Sequence, residues 1–221
     1  MKNKFKEMFE LQNQLNNNTN GKEWTKGITK NDRKINWFRC IYMETGEGID
    51  SLNWKHWKNI NAVDDINNLQ VEIVDVWHFI MSQMITEEGV ESSIETAFNL
   101  YSQMENYLSV TNEENSIDSI SLIDLMERMM QQSVNYELPL STFFAIVNKL
   151  DNFDMNSVYK LYLGKNCLNE FRQNNGYKDG SYIKIWNGEE DNVYMQQFIE
   201  SNPNISFSEL TSKLNEIYKS L

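Results

Sequence analysis

Apolar residues recur along most of the chain at spacings of three and four, which is the period of an α-helix that buries one face. Short stretches rich in Asn, Gly and Thr interrupt this pattern and mark the ends of the segments. The pattern predicts helices over residues 4–16, 35–50, 68–85, 91–108 and 116–135, one that begins after Pro139, and two closing helices, the second after Pro203. No segment alternates between apolar and polar residues for long enough to make a sheet. We therefore expect an all-α helical bundle that forms a single domain over residues 1–221.

Glycine residues predict further features towards the C-terminus. Gly164 is expected to divide a short helix from the segment that follows it, because glycine weakens helices. Residues 174–192, NNGYKDGSYIKIWNGEEDN, are rich in glycine and aromatic side chains, which favours an ordered loop. Residues 94–134 carry Leu, Ile and Met at helical spacing and no motif, which is typical of core or of a dimer interface.

The apolar face of the second predicted helix continues into carboxylates. Trp37, Cys40 and Ile41 begin the stripe, and the same spacing then brings Glu44 and Glu47. Two carboxylates one helical turn apart, with Cβ atoms ~5–6 Å from each other, repel, and burying them without a counter-ion is costly. A hard divalent cation such as Mg2+ removes both penalties, because it binds oxygen ligands.

The third predicted helix repeats this arrangement with Glu72 and Asp75. Both acids lie in VEIVDVWHFI, residues 71–80, which is apolar on nearly every face and is therefore expected to be buried. One such acid pair is typical of a solvated helix face, whereas two pairs in apolar helices favour a shared site. We predict a metal site of four carboxylates from Glu44, Glu47, Glu72 and Asp75.

Cations collect in one part of an otherwise acidic chain. Lys165, Asn169 and Arg172 share one helical face, and the glycine-rich loop adds Lys178 and Lys184. Carboxylates that hold Mg2+, opposed by cations, are the usual equipment of phosphoryl chemistry. The alternative is that these cations pair with acids at the surface.

Two amides interrupt the apolar face of the first helix. Gln12 and Asn16 share that face with Phe9, and buried amides must find hydrogen-bond partners. The edge of a pyrimidine base offers matching donors and acceptors, so these amides are candidates for base recognition. Trp54 offers an aromatic face for stacking. His78 lies in an apolar segment, where a single histidine is more often a core residue than a ligand.

Composition narrows the classes of protein. The chain has 221 residues, with 20 Lys and Arg against 32 Asp and Glu, and its net charge of -12 disfavours binding to nucleic acid. No apolar run approaches the ~18 residues of a membrane span. The first ten residues, MKNKFKEMFE, lack the pattern of a secretory signal. We therefore expect a cytoplasmic protein with no membrane partner, in which Cys40 and Cys167 are reduced thiols.

Four segments of the chain together resemble the dimeric all-α dUTPases: LQNQLN, WFRCIYMETGEGIDSLNWKHWK, VEIVDVWHFIMS and GKNCLNEFRQNNGYKDGSYIKIWNGEEDN. The resemblance covers residues 1–85 and 159–192. The acid pairs alone are similar to the wider all-α NTP pyrophosphohydrolase superfamily, which includes the MazG-like enzymes. The glycine-rich and aromatic string that follows Arg172 is specific to the dUTPase branch.

This resemblance implies the all-α NTP pyrophosphohydrolase fold and a homodimer that hydrolyses dUTP, and also dUDP, to dUMP with Mg2+ as cofactor. It assigns the metal ions to the four carboxylates named above and gives Glu47 the role of activating the attacking water. It implies that uracil is enclosed by Gln12, Asn16, Trp54 and His78. It places Asn169 and Tyr177 near the deoxyribose, and Lys165, Arg172, Lys178 and Lys184 near the phosphates.

The chain departs from the family beside its second glutamate. Family members commonly have helix formers there, whereas this chain has Gly46 and Gly48. Each glycine costs about 1 kcal/mol relative to alanine inside a helix. Either a close backbone approach requires these glycines, or the helix is looser at this point.

Two other functions are compatible with the same residues. A related pyrophosphohydrolase for dCTP, or for several NTPs, would need the same carboxylates and differ only in its few base contacts. A nucleotide-responsive binding protein would use the same pocket to regulate a partner, and residues 91–135 would then be the expected partner surface. Intact carboxylates at all four positions favour catalysis.

Overall fold

The structure is a computed structural model that describes residues 1–59, 61–110, 120–203 and 205–221. Its helices are α1 Lys2–Asn20, α2 Trp37–Asp50, α3 Ile66–Val110, α4 Leu122–Val134, α5 Leu140–Lys149, α6 Met155–Asn174, α7 Asp191–Ser201 and α8 Phe207–Tyr218. A short 3-10 helix, Trp24–Lys26, follows α1. The strands β1 Ile185–Trp186 and β2 Glu189–Glu190 form an antiparallel pair. The prediction of an all-α fold is confirmed.

Helix boundaries follow local hydrogen bonding. Asn36 caps α2, because its side-chain oxygen accepts a hydrogen bond from the backbone N–H of Arg39 at 2.9 Å. Ser121 and Asp124 form a reciprocal capping box at the start of α4. The predicted beginning of this helix at residue 116 lies outside the described residues. Pro139 is the residue that precedes α5, as the sequence predicts.

Gly89 separates the third and fourth predicted helices. Both are halves of α3, and Gly89 between them has φ 78° and ψ 170°, which is outside the helical region. A side chain with a Cβ atom would be strained in that conformation. The predicted break is therefore present as a kink within one long element.

Gly164 does not divide two helices, so this prediction is wrong. Helix α6 continues through Gly164 without interruption. A Cβ atom at this position would lie 2.3 Å from Ile199 Cδ1 and 2.7 Å from Met195 Sδ. The glycine allows α7 to pack closely against α6, and neighbouring helical residues override its low propensity.

The chain forms two compact units, residues 1–156 and 157–221. In the first, α3 packs against α1, α2 and α5, and α4 packs against α2 and α5. Trp77 lies at the centre of this core, fully buried and stacked on Phe143 with ring centroids 4.8 Å apart. The expectation of a single domain over the whole chain stays a prediction.

The second unit has its own apolar core around Trp186. This fully buried side chain packs with Leu168 and Phe171 from α6 and with Leu214 from α8. Residues 175–190 form turns and the short β1–β2 hairpin, so most of this glycine-rich segment is an ordered loop, as predicted, whereas its first residue belongs to α6 and its last two belong to α7.

Both cysteines are free thiols, as expected. Burial raises the pKa of the Cys40 thiol and of the Cys167 thiol to about 11 in each case. A raised pKa disfavours the thiolate, which is the reactive form of cysteine. Among the described residues, no helix is long and apolar enough to span a membrane.

Candidate active site

Three of the four predicted metal ligands meet where α2 packs against α3. Glu44 from α2 and the pair Glu72 and Asp75 from α3 bring carboxylate oxygens within 4.8 Å of one another. All three side chains are half-buried. A set made only of carboxylate oxygens is the donor type that Mg2+ prefers, so these three residues fit such an ion.

Gly48 accounts for the close approach of the two helices beside this cluster. A Cβ atom at Gly48 would lie 3.3 Å from Leu69 Cδ1, 3.5 Å from Glu72 Cβ and 2.7 Å from Met126 Cε. At Gly46 a Cβ atom would meet only Met130 Cε, at an ordinary 3.8 Å. The close approach therefore explains Gly48, but not Gly46.

Glu47 is exposed and is not among the three clustered acids. Its side chain lines a neighbouring cavity of about 760 Å3, which lies between the end of α2, the described part of the following connection (residues 51–59 and 61–65) and the start of α3. Glu72 lines the same cavity and also belongs to the cluster. The cavity therefore opens directly onto one of the clustered carboxylates.

Hydrogen bonds fix the connection that forms one wall of this cavity. The backbone N–H of Asn53 donates to Asp64 Oδ1 at 2.6 Å, and its side-chain amide donates to the carbonyl of Ala62 at 2.8 Å. Asn68 in α3 donates its side-chain amide to Ser51 Oγ, also at 2.8 Å. Hydrogen bonds therefore link residues within the connection and also link its first residue to α3.

Lys55 and Lys58 lie on this connection and line the cavity. Lys55 forms an ion pair with Asp50, and its ammonium lies 5.4 Å from the centre of the Trp54 ring. The hydrogen bond from Lys55 holds the pKa of Asp50 below its usual value. Neither lysine was predicted from the sequence, although both stand in WKHWK, residues 54–58, together with Trp54.

A buried polar network joins α1 to α3. Gln12 Oε1 lies 2.6 Å from His78 Nδ1, and the side-chain amides of Gln12 and Asn16 both donate to Ser82 Oγ, at 3.0 and 2.9 Å. Ser82 donates in turn to the carbonyl of His78 at 2.7 Å. Each of these four side chains is at most 4% exposed.

The network brings together three residues that the resemblance assigns to the base, namely Gln12, Asn16 and His78. Ser82 was not predicted, although its position four residues after His78 places it on the same face of α3. Trp54 lies on the connection between α2 and α3, where it is 39% exposed and packs edge-to-face on Trp57 at 5.4 Å.

In the second unit, Arg172 forms a buried bidentate ion pair with Asp191. Arg172 Nε and Nη2 lie 2.7 Å from the two carboxylate oxygens, and Tyr182 donates its hydroxyl to the same carboxylate at 2.7 Å. Burial and this hydrogen bond raise the pKa of Tyr182 well above its usual value. Asp191 was not predicted from the sequence, because spacing alone does not indicate that an acid is buried.

Asn192 connects two of the predicted cations. Its side-chain oxygen accepts hydrogen bonds from Lys165 at 3.1 Å and from Arg172 at 3.3 Å. Asn169 accepts a further hydrogen bond from Arg172 at 3.2 Å. Lys165 is 2% exposed, so the α6 cations form a buried network and not the solvated stripe that pairing with surface acids would give.

The remaining predicted residues of this unit lie on the surface of the glycine-rich loop. Tyr177 is exposed, and its ring centre lies 5.7 Å from the guanidinium of Arg172. Lys178 is exposed, and Lys184 forms a surface ion pair with Glu190 at 3.0 Å.

A family model described as dUTPase matches residues 4–177, which include the acidic cluster, the cavity and the buried polar network. No curated protein matches the chain at a significant level.

Proposed function

Because the chain belongs to the dUTPase family and hydrolyses dUTP to dUMP, we propose that the reaction takes place at the acidic cluster of α2 and α3. The observation that supports this location is the convergence of Glu44, Glu72 and Asp75 within 4.8 Å at the mouth of a cavity. The volume of that cavity, about 760 Å3, falls within the range of roughly 300–1,000 Å3 usual for small-molecule sites.

Glu44, Glu72 and Asp75 are the proposed ligands of a divalent cation, for which Mg2+ is the natural candidate. Support comes from the donor set, which consists of carboxylate oxygens alone. When bound, such an ion supplies neutralising charge for phosphate oxygens and acidifies a water molecule. The three side chains would hold the ion next to the cavity, and its positive charge would offset the repulsion between the carboxylates. Glu47, one turn from Glu44, is the proposed fourth ligand.

Glu47 is also the proposed general base. Its carboxylate is exposed to the cavity, so it is accessible to a water molecule beside the substrate. A carboxylate that accepts the proton of the attacking water raises the nucleophilicity of that water in the transition state. This role requires a proton acceptor at position 47, so it is lost when the carboxylate is replaced by an amide of the same shape.

The buried network of Gln12, Asn16 and His78 is the proposed site of uracil recognition, with Trp54 as a further contact. Gln12 and His78 are held 2.6 Å apart, which fixes the orientation of the glutamine amide. A pyrimidine is distinguished from its analogues by the pattern of donors and acceptors along its edge, and fixed amides can read that pattern. We propose that these rigid polar groups discriminate uracil from cytosine.

For the second unit we propose a nucleotide-binding role. Asn169 and Tyr177 are the proposed contacts to deoxyribose, and Lys165, Arg172, Lys178 and Lys184 are the proposed contacts to phosphates. Arg172 already pairs with Asp191 through two of its nitrogens, so much of its role is to hold this cationic network in place. Lys178 is exposed and accessible to a ligand.

Further proposals rest on the family resemblance. dUDP is a second substrate, the enzyme is a homodimer that works in the cytoplasm, and neither nucleic acid nor membrane is a partner. Gel filtration with light scattering tests the dimer directly. A mass of about twice 26.1 kDa is the expected result.

The location of the active site is tested by comparing two acid-to-amide variants. Glu44→Gln removes a clustered carboxylate, whereas Glu91→Gln changes an exposed acid on the distal part of α3. In dUTP hydrolysis assays with Mg2+, we expect Glu44→Gln to lose at least about 100-fold in kcat and Glu91→Gln to match the wild type. Equal activity of both variants would place the chemistry elsewhere. Parallel assays with dCTP and dTTP separate a dUTPase from a broader pyrophosphohydrolase.

A further inference from the structure

We propose that Lys55 and Lys58 bind the terminal phosphates of dUTP, and then the pyrophosphate product, inside the cavity next to the acidic cluster. This inference rests on the proposed location of the reaction. It assigns a role to two residues in the connection between α2 and α3, separate from the cations of α6 and of the glycine-rich loop.

The two lysines are the cations among the described residues that line this cavity. The acids of the lining are Glu47, Asp50, Asp65 and Glu72. A triphosphate that enters this cavity needs positive charge to offset the repulsion between its phosphates and these carboxylates. Lysine ammonium groups supply that charge and donate up to three hydrogen bonds each.

The backbone places the two lysines next to each other. The N–H of Lys58 donates to the carbonyl of Lys55 at 2.9 Å, so both residues belong to one turn. The hydrogen bonds of Asn53 to Asp64 and Ala62 close the surrounding connection. A turn held in this way keeps both side chains at the cavity and lowers the entropic cost of binding.

Lys55 is also partly preorganised by its neighbours. It is half-buried, pairs with Asp50 and lies over the ring of Trp54. Lys58 is exposed, and its charge contributes to the lowered pKa of Asp50, which places it near the same carboxylate. A phosphate that enters the cavity competes with Asp50 for the ammonium groups of both lysines. Because a phosphate chain carries more negative charge than one carboxylate, the lysines bind the phosphate in preference to Asp50.

The length of the phosphate chain provides a specific test. dUTP extends one phosphate further than dUDP, so terminal contacts contribute more to dUTP. We expect the double variant Lys55→Met, Lys58→Met to lose about tenfold or more in kcat/KM for dUTP, and distinctly less for dUDP. Its affinity for inorganic pyrophosphate, measured by calorimetry with Mg2+, falls by a similar factor. The control Lys22→Met, which removes an exposed lysine outside the cavity, behaves as the wild type.

Two further variants separate binding from folding. Lys58→Met alters an exposed side chain and retains the fold, so its pyrophosphate affinity is measurable even where the double variant is unstable. Lys55→Arg and Lys58→Arg keep the charge and are expected to restore most of the pyrophosphate affinity. If Lys58→Met and the double variant bind pyrophosphate as the wild type does, and the dUTP to dUDP ratio is unchanged, the inference is overturned. If Glu44→Gln hydrolyses dUTP as well as the wild type does, the proposed location of the active site is contradicted instead.

Discussion

Arg172 and Asp191 are joined by two parallel hydrogen bonds of 2.7 Å, and Asp191 is completely buried. The pair links the last turn of α6 to the first turn of α7, and Tyr182 adds a third hydrogen bond from the intervening loop. Three segments of the second unit therefore depend on one carboxylate. The effect of such a pair on stability becomes evident when one partner is removed, because the other charge is then buried without a counter-charge.

Asp191→Asn is expected to destabilise the second unit strongly. The amide cannot pair with the guanidinium, and the buried Arg172 charge then has no matching anion at that position, at a cost of about 3–5 kcal/mol. Denaturant unfolding followed by far-UV circular dichroism measures this loss. As the matched control, Glu190→Gln breaks a surface pair with Lys184 and costs less than about 1 kcal/mol. Similar losses for both variants would show that burial of the Arg172 pair has no special weight.

Glu47→Gln is expected to abolish turnover while leaving dUTP binding largely intact. The amide keeps the size of the side chain but cannot accept a proton from water. Steady-state rates give kcat, and calorimetry with a non-hydrolysable dUTP analogue gives the affinity. Near-normal turnover in this variant would mean that another acid acts as the base.

Gln12→Ala is expected to weaken binding of dUTP more than that of dCTP. It also removes the partner of His78 and one donor to Ser82, so a stability loss of about 1–3 kcal/mol accompanies it. Gln14→Ala, at an exposed position of the same helix, serves as the control. The ratio of the two nucleotide affinities decides between recognition and support of the fold, since a purely structural residue would weaken both equally.

Mg2+ is expected to raise the melting temperature of the wild type. At a concentration about 100 times the Kd, mass action stabilises the protein by about 2.7 kcal/mol, which corresponds to roughly 5–10 °C. Asp75→Asn removes one of three mutually repelling charges, so its metal-free form melts higher than the wild type and responds less to Mg2+. Glu91→Gln should do neither. Identical wild-type melting curves with Mg2+ and with chelator would rule out the cluster as a metal site.

Gly46→Ala and Gly48→Ala form a matched pair within one helix. At Gly46 the new methyl group meets only an ordinary contact, so the variant gains about 1 kcal/mol of stability from helix propensity. At Gly48 the methyl group displaces Met126 and crowds Leu69, which offsets this gain. Thermal unfolding of both variants without Mg2+ measures the difference. Equal stabilisation would show that the helices yield easily at Gly48.

The spacing of apolar and polar residues predicted those features of the fold that depend on a single segment of the chain. The stripe that runs from Trp37 to Glu44 gave the correct α2, and the acids in residues 71–80 lie on the side of α3 that faces it. A break between residues 85 and 91 was also predicted, and Gly89, which has a positive φ, lies within it. These features need no knowledge of distant neighbours.

Features that depend on distant partners were not predictable in this way. Gly164 looks like a helix breaker in sequence, yet it is a spacer for Met195 and Ile199, which stand more than thirty residues later. Asp191 becomes a buried ion-pair partner only when α6 and α7 pack together. The exposure of Glu47, next to the half-buried Glu44, likewise depends on where the connection to α3 passes.

Glu72 borders both the acidic cluster and the cavity that holds Lys55 and Lys58. A cation at the cluster and an anion in the cavity therefore act on one carboxylate, and their affinities are reciprocally linked. Whatever factor Mg2+ contributes to retention of pyrophosphate, pyrophosphate contributes the same factor to retention of Mg2+. Loss of either ligand from the proposed site would thus lower the affinity for the other.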